Sequence, residues 1–171
     1  MTDQNTPGEE DGVSAAWRDK VAGFPISPVT LLATDYLNHF NEVVMLVDMM
    51  PSMPDMLPDV QAWREKSYVE HFRTIKLDYG NIAADAYDHV PQAFKASFEN
   101  IVNQLNQVIQ VTIKRLSAAV LSENQEELEA TAREAVPVMT ALIASADGII
   151  AGGRVVLQQD AIDRLLAKDS P

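Results

Sequence analysis

Cysteine is absent from the 171-residue chain. Disulfides, thiolate metal sites and cysteine nucleophiles are therefore excluded. Aromatic residues are scarce, at 6%, and no stretch alternates apolar and polar residues as a half-buried strand would. Long apolar runs are missing as well. The densest, VVMLV at 43–47, is far short of the ~20 residues a membrane span needs. The opening MTDQNTPGEEDG has neither a basic nor an apolar region, so it does not read as a secretory signal. A soluble cytoplasmic protein is the expectation. Positive charge is also in short supply: 13 Lys and Arg stand against 25 Asp and Glu, for a formal net charge of −12. Such a surface repels phosphate, which argues against nucleic acid and against an anionic membrane as direct partners.

What is present describes a helical domain. Hydrophobic content of 47% with 22% charged residues is that of a globular chain, and the length suits one domain with a real core. Ala, Leu, Val, Gln and Glu are common, a mixture that favours helix over sheet. Residues 1–23 read as a flexible acidic segment, with a short amphipathic piece at 13–21 able to dock, and residues 24–168 as a single helical-bundle domain. Ser27 before Pro28 suits a helix start. From there Leu32, Tyr36, Phe40, Val43 and Val47 recur at three- and four-residue steps, which predicts a helix over 28–50 that must stop before Pro51. A short helix over 59–66 would carry Trp63.

Ser67 with Glu70 forms a capping box, and the apolar stripe from Tyr68 to Val90 stays helical through Gly80, predicting a helix over 67–89. A third helix is expected over 92–121. It carries two apolar stripes, Phe94–Phe98–Ile101–Leu105–Val108–Thr112 and Val102–Ile109–Ile113–Leu116–Val120. A fourth is expected over 124–151, capped through Ser122 or Asn124 and kinked at Pro137. Ala144, Gly148 and Gly152 at steps of four read as a close helix contact, and the tail at 154–168 is again amphipathic. The expected architecture is all-α, an antiparallel helical bundle of four main helices plus short accessory helices.

Candidate sites are few. The stretch MLVDMMPSMPDMLPDV at 45–60 holds five of the seven methionines. Thioethers at these spacings suit Cu(I), but without thiolate the stronger reading is packing of a ragged helix end, or an adaptable contact surface through Met49, Met50, Met53 and Met56. Asp35 and Glu42 flank His39, and Asp85 precedes His89 by four residues. Such pairs share a helical face and suit zinc if their helices meet. No Glu-x-x-His of the bundle di-metal type occurs. His71, in EHFRTIK, reads as exposed beside Arg73 and Lys76, which would suit a histidine phosphoacceptor. The residues after it do not match the phosphotransfer pattern.

Asn103, Gln107 and Gln110 form an uncharged polar row along the third helix, with Asn100, Gln104 and Asn106 alongside. Such a row faces solvent, a groove or a second subunit. AGGR at 151–154 follows no strand and does not make a phosphate loop. No motif names a family, and no catalytic constellation, metal or cofactor is predicted. The leading expectation is a non-catalytic bundle acting through protein–protein contacts, as a homo-oligomer, because two apolar stripes on the third helix exceed what one bundle needs. The alternatives are a metal or small-ligand site near His39 and phosphotransfer through His71.

Overall fold

The computed structural model describes residues 12–154 and 159–169, and they are all-helical, with no strand among them. The two longest elements follow the sequence periodicity closely. Helix α6, Gln92–Leu121, and helix α7, Gln125–Ile150, form an antiparallel hairpin about 45 and 39 Å long at 1.5 Å per residue. Of the two candidate caps, Asn124 is the one used: its Oδ1 accepts the Glu127 amide at 3.0 Å. The Ser122 hydroxyl instead donates back to the Ala118 carbonyl. Helix α7 runs unbroken through Pro137. It ends where Gly152 takes a φ of +90° and the Gly153 amide returns to the Gly148 carbonyl at 2.8 Å, a close that an αL glycine permits.

Shorter helices pack around this hairpin. They are α1 (Ala15–Val21), α2 (Asn38–Met49), α3 (Leu57–Ala62), α4 (Tyr68–Thr74), α5 (Gly80–Ala86) and α8 (Gln159–Leu166). Helix α1 lies on α5, with Val21 buried and Trp17 ring to ring with His89 at 4.6 Å. The short helix expected at 59–66 begins and ends earlier, because Trp63 turns extended and its indole donates to the His39 carbonyl at 3.0 Å.

Two expected long helices are not continuous. Over 28–50, helix begins only at a 3-10 turn, Thr34–Leu37. Ser27 still caps, its hydroxyl accepting the Val29 and Thr30 amides, but the chain then closes a turn in which Leu31 has φ +62° and the Ser27 amide donates to Leu32. This turn buries the adjacent Leu31 and Leu32 together and lets the Thr30 hydroxyl donate to the Ile150 carbonyl at 2.7 Å. Successive residues of a helix diverge by about 100°, so tertiary packing outweighed the local signal.

Over 67–89 the chain turns at residues 75–79. Gly80 opens α5 so close to α4 that a Cβ there would lie 2.6 Å from the Phe72 carbonyl oxygen. This glycine marks a corner, not a weak point in one helix.

The second apolar stripe of α6 is covered within the chain. Helices α3 and α8 both pack on α6, Ile109 and Leu116 of the stripe are buried, and Ile113 packs half-buried against the core. The surplus that argued for a second subunit is therefore largely met within one chain. Ala144 is exposed and Gly148 and Gly152 are half-buried, and Gly152 faces Val29 of the Ser27–Leu32 turn. No helix among the described residues is long and apolar enough to cross a membrane.

Candidate functional site: a groove along α6

The uncharged row on α6 lines a surface groove. Two adjoining clefts, of about 490 and 560 Å³, share Glu65, Asn103 and Asn106 in their linings. The first is walled by Tyr36, Tyr68 and Tyr87 and rimmed by Glu65, Glu70 and Glu99. The second continues past Gln107 and Gln110 to an end lined by Val111, Lys114 and Leu166. Three elements position these groups. Helix α6 sets the amides at steps of three and four on one face. The 65–70 segment is held by the Ser67 cap, whose Oγ accepts the Glu70 amide at 3.1 Å. Helix α8 contributes Leu166.

The tyrosine wall is rigid. The Tyr36 hydroxyl donates to the Lys66 carbonyl at 2.7 Å, the Tyr68 hydroxyl accepts the Ala33 amide at 2.8 Å, and the Tyr87 hydroxyl donates to Glu99 at 2.8 Å. Tyr68 and Tyr87 stack at 4.8 Å, and the Lys95 ammonium lies 4.4 Å over the Tyr87 ring. Burial pushes all three phenols above their ordinary range. Glu65 and Glu70 add to this at Tyr36, and the hydrogen bond to Glu99 adds at Tyr87. The phenols are therefore neutral at physiological pH, and their hydroxyls are tied into the hydrogen bonds above. Along the amide row, Gln104 Oε1 and Asn106 Oδ1 are buried without a hydrogen-bond partner.

Behind the wall lie two imidazoles. His39 stacks on Trp63 at 4.8 Å, His71 meets Tyr36 edge-on at 5.5 Å, and the two histidine rings are 6.3 Å apart. The Nε2 atoms of both are buried and unpartnered. Burial lowers the pKa of each. The Arg64 carbonyl opposes this at His39, and the neighbouring His39 reinforces it at His71.

His71 is thus not the exposed residue its sequence context implies. It is only 7% exposed, because the short α4 turns its Tyr68–His71–Phe72 face inward before the corner at residues 75–79. Its supposed neighbour Arg73 is committed to Asp85 and Asn81.

The zinc set of Asp35, His39, Asp85 and His89 is not assembled. His39 neighbours His71, Asp85 pairs with Arg73, and the exposed His89 lies against Trp17. Asp35 accepts from Asn38, and Glu42 is exposed on α2. No group of three or more His, Asp or Glu among the described residues is placed to hold a metal ion. The split of the 67–89 helix is the physical reason: His89 falls in a 3-10 turn after α5, Tyr87–His89, away from α2.

The methionines divide. Met50 is fully buried and belongs to the core, so it offers no contact surface, and Met56 is half-buried. Met45, Met49 and Met53 are exposed, and the Gln125 side chain fastens the connector by donating to the Pro51 carbonyl at 2.8 Å.

Sequence reasoning found the amide row but missed its opposite wall. Glu65 and Glu70 on that wall, like Glu99 on α6 itself, look like ordinary surface charge in one dimension; Tyr68 reads as a member of a core stripe, and Tyr87 falls outside it. Comparison with protein-family models, with curated proteins and with solved structures finds no match to this chain.

Proposed function

We propose that the protein is a non-catalytic binding module whose working surface is the α6 groove, and that its partner is another protein. One observation carries this reading: the uncharged side chains Asn103, Gln107 and Gln110 line two clefts that join end to end. Amides both donate and accept, so they satisfy a partner's polar groups without burying charge. In the same reading α2 and the α4–α5 pair serve as third and fourth members of an antiparallel bundle with the α6–α7 hairpin, a frame stiff enough to preorganise the groove. The groups that would suit catalysis are neutral phenols and buried imidazoles with fixed structural contacts, which favours binding over reaction.

Site-specific photo-crosslinking tests this. A photoreactive residue at Gln107 or Asn103 is expected to give a discrete adduct in cells, and one at the exposed Arg133 of α7 to give none. Equal labelling at all three positions overturns the reading.

A second reading rests on the exposed Met45, Met49 and Met53. Flexible thioethers adapt to a partner surface, and here the partner would be a second copy. Light scattering decides it: a mass that rises above 18.8 kDa with concentration, and falls back in Met45→Glu/Met49→Glu, supports self-association. A mass unchanged over a tenfold range ends it.

A further inference from the structure

The groove has two chemically different ends. Around the first cleft stand Glu65, Glu70 and Glu99, opposed among the described lining residues by Lys66. Three carboxylates against one ammonium in this lining give the end a negative potential, and Glu65 and Glu70 both act on the Tyr36 hydroxyl, on a molecule already at −12. A focused field of one sign selects a ligand of the other. The far end offers the side chains of Val111 and Leu166, with Lys114 alongside, which also disfavours a cation there. Between the ends run the amides, at a pitch of one helical turn, about 5.4 Å. An extended chain presents backbone groups of one orientation every two residues, about 6.6 Å. The two repeats are close enough for Asn103, Gln107 and Gln110 to meet successive peptide groups over so short a run. From Glu99 to Val111 the helix rises about 18 Å, which an extended chain spans in five to six residues.

Asn106 adds a directional cue. It lines both clefts, yet its Oδ1 is buried and unpartnered. Rotation of that amide towards the groove would let the oxygen take a backbone amide of the occupant.

Resting on the reading of this groove as a partner-binding surface, we infer that its occupant is an extended peptide segment. That segment carries a lysine or arginine about five residues from an aliphatic side chain. The cation lies among Glu65, Glu70 and Glu99, the backbone crosses the amide row, and the aliphatic residue sits on Val111 and Leu166. A folded partner with a flat surface would leave the amides unmatched, and an acidic segment would be repelled.

The test is selection of peptides from a random twelve-residue display library on the immobilised full-length protein. Fluorescence anisotropy of the selected peptides follows, against wild type, Gln107→Ala and Glu65→Gln/Glu70→Gln. All three positions are exposed, and circular dichroism melts check that each variant folds. The expected result is enrichment of Lys or Arg at a fixed spacing from Leu, Ile or Val. Affinity should fall at least tenfold in the Glu double variant, several-fold in Gln107→Ala, and should weaken with salt. Selected peptides that lack basic residues but still lose affinity in Gln107→Ala would overturn the occupant and leave the groove standing. Peptides indifferent to Gln107→Ala, or no enrichment at all, would overturn both.

Discussion

Gly80 begins α5 directly over the last carbonyls of α4, where a Cβ would meet backbone, not a movable side chain. Gly80→Ala is therefore expected to destabilise by roughly 1–3 kcal/mol, the usual cost of forcing atoms into a packed site. Urea denaturation measures it, and a loss under about 0.5 kcal/mol would mean that the α4–α5 corner opens easily. Met50, fully buried, is a contrasting case. Met50→Leu nearly conserves volume, and a change below about 1.5 kcal/mol is expected in the same experiment.

His71 supplies a pH-dependent counterpart. Its folded pKa lies below the ordinary 6.5, first through burial and then through neighbouring His39 and Lys66, against the opposing pull of Asp35. The unfolded chain therefore binds the proton more readily. The stability that this group contributes is complete above about pH 6.5 and declines as pH falls from there towards the lowered folded value. Wild type should lose stability as pH falls below about 6.5, a range that opens above most carboxylate titration. His71→Phe should lose less over that window. Equal losses in urea midpoints would show that burial of this imidazole is not what sets the dependence.

At the scale of elements, the α6–α7 hairpin carries a charged clamp. Arg115, 15% exposed, reaches Glu127 at 2.7 Å and Glu134 at 3.0 Å, and Glu134 also takes Lys168 at 2.6 Å, just after α8. The arginine holds both carboxyls below their usual range; at Glu134 the hydrogen bond from Lys168 is the leading cause. A hydrogen bond between charged groups contributes about 1.5–3 kcal/mol where shielded. Both glutamates here are more than a third exposed, so solvent screening reduces the figure. Arg115→Met should cost about 1 kcal/mol. Lys168→Ala should leave global stability nearly unchanged but speed amide exchange in α8, since that residue ties the end of α8 to α7. Unaltered exchange in α8 would mean that Ile162 and Leu165, both buried, hold it without help.

For the whole molecule, the coverage of α6 has a direct consequence. Helix α8 packs on α6 and α7, buries Ile162 and Leu165, and brings Leu166 beside Val111 at the far end of the groove. A chain ending at Arg154 should expose the apolar surface beneath α8, Val111 included, and self-associate, because contiguous apolar surface is rarely left open. Light scattering should show a larger mass per chain for the truncated protein than for the full chain at equal concentration. A truncated chain that behaves like the parent would show that the surface beneath α8 is too small to drive association.

The sequence by itself determined the helical class, the limits of α6 and α7 to within a residue, the Ser67 cap and the stop before Pro51, and it narrowed the α7 cap to Ser122 or Asn124. These rest on local signals: periodicity over many turns, a side chain bonding an amide three residues on, and a proline that cannot continue a helix. It also exposed the amide row, because three uncharged polar residues on one face of a long helix can be read in one dimension. Only the tertiary structure decided three other matters. The turn at Leu31 and the corner at Gly80 exist because Thr30 bonds a carbonyl 120 residues away and Phe72 leaves no room for a Cβ. The pairing of His39 with His71, not with His89, follows from that corner. The groove itself was illegible, since its acidic rim comes from two separate stretches, 65–70 and 99, that packing alone brings to one face. A pattern within one helix is set by bonds a few residues long; a site between helices is set by which surfaces bury each other, and that depends on the whole chain at once.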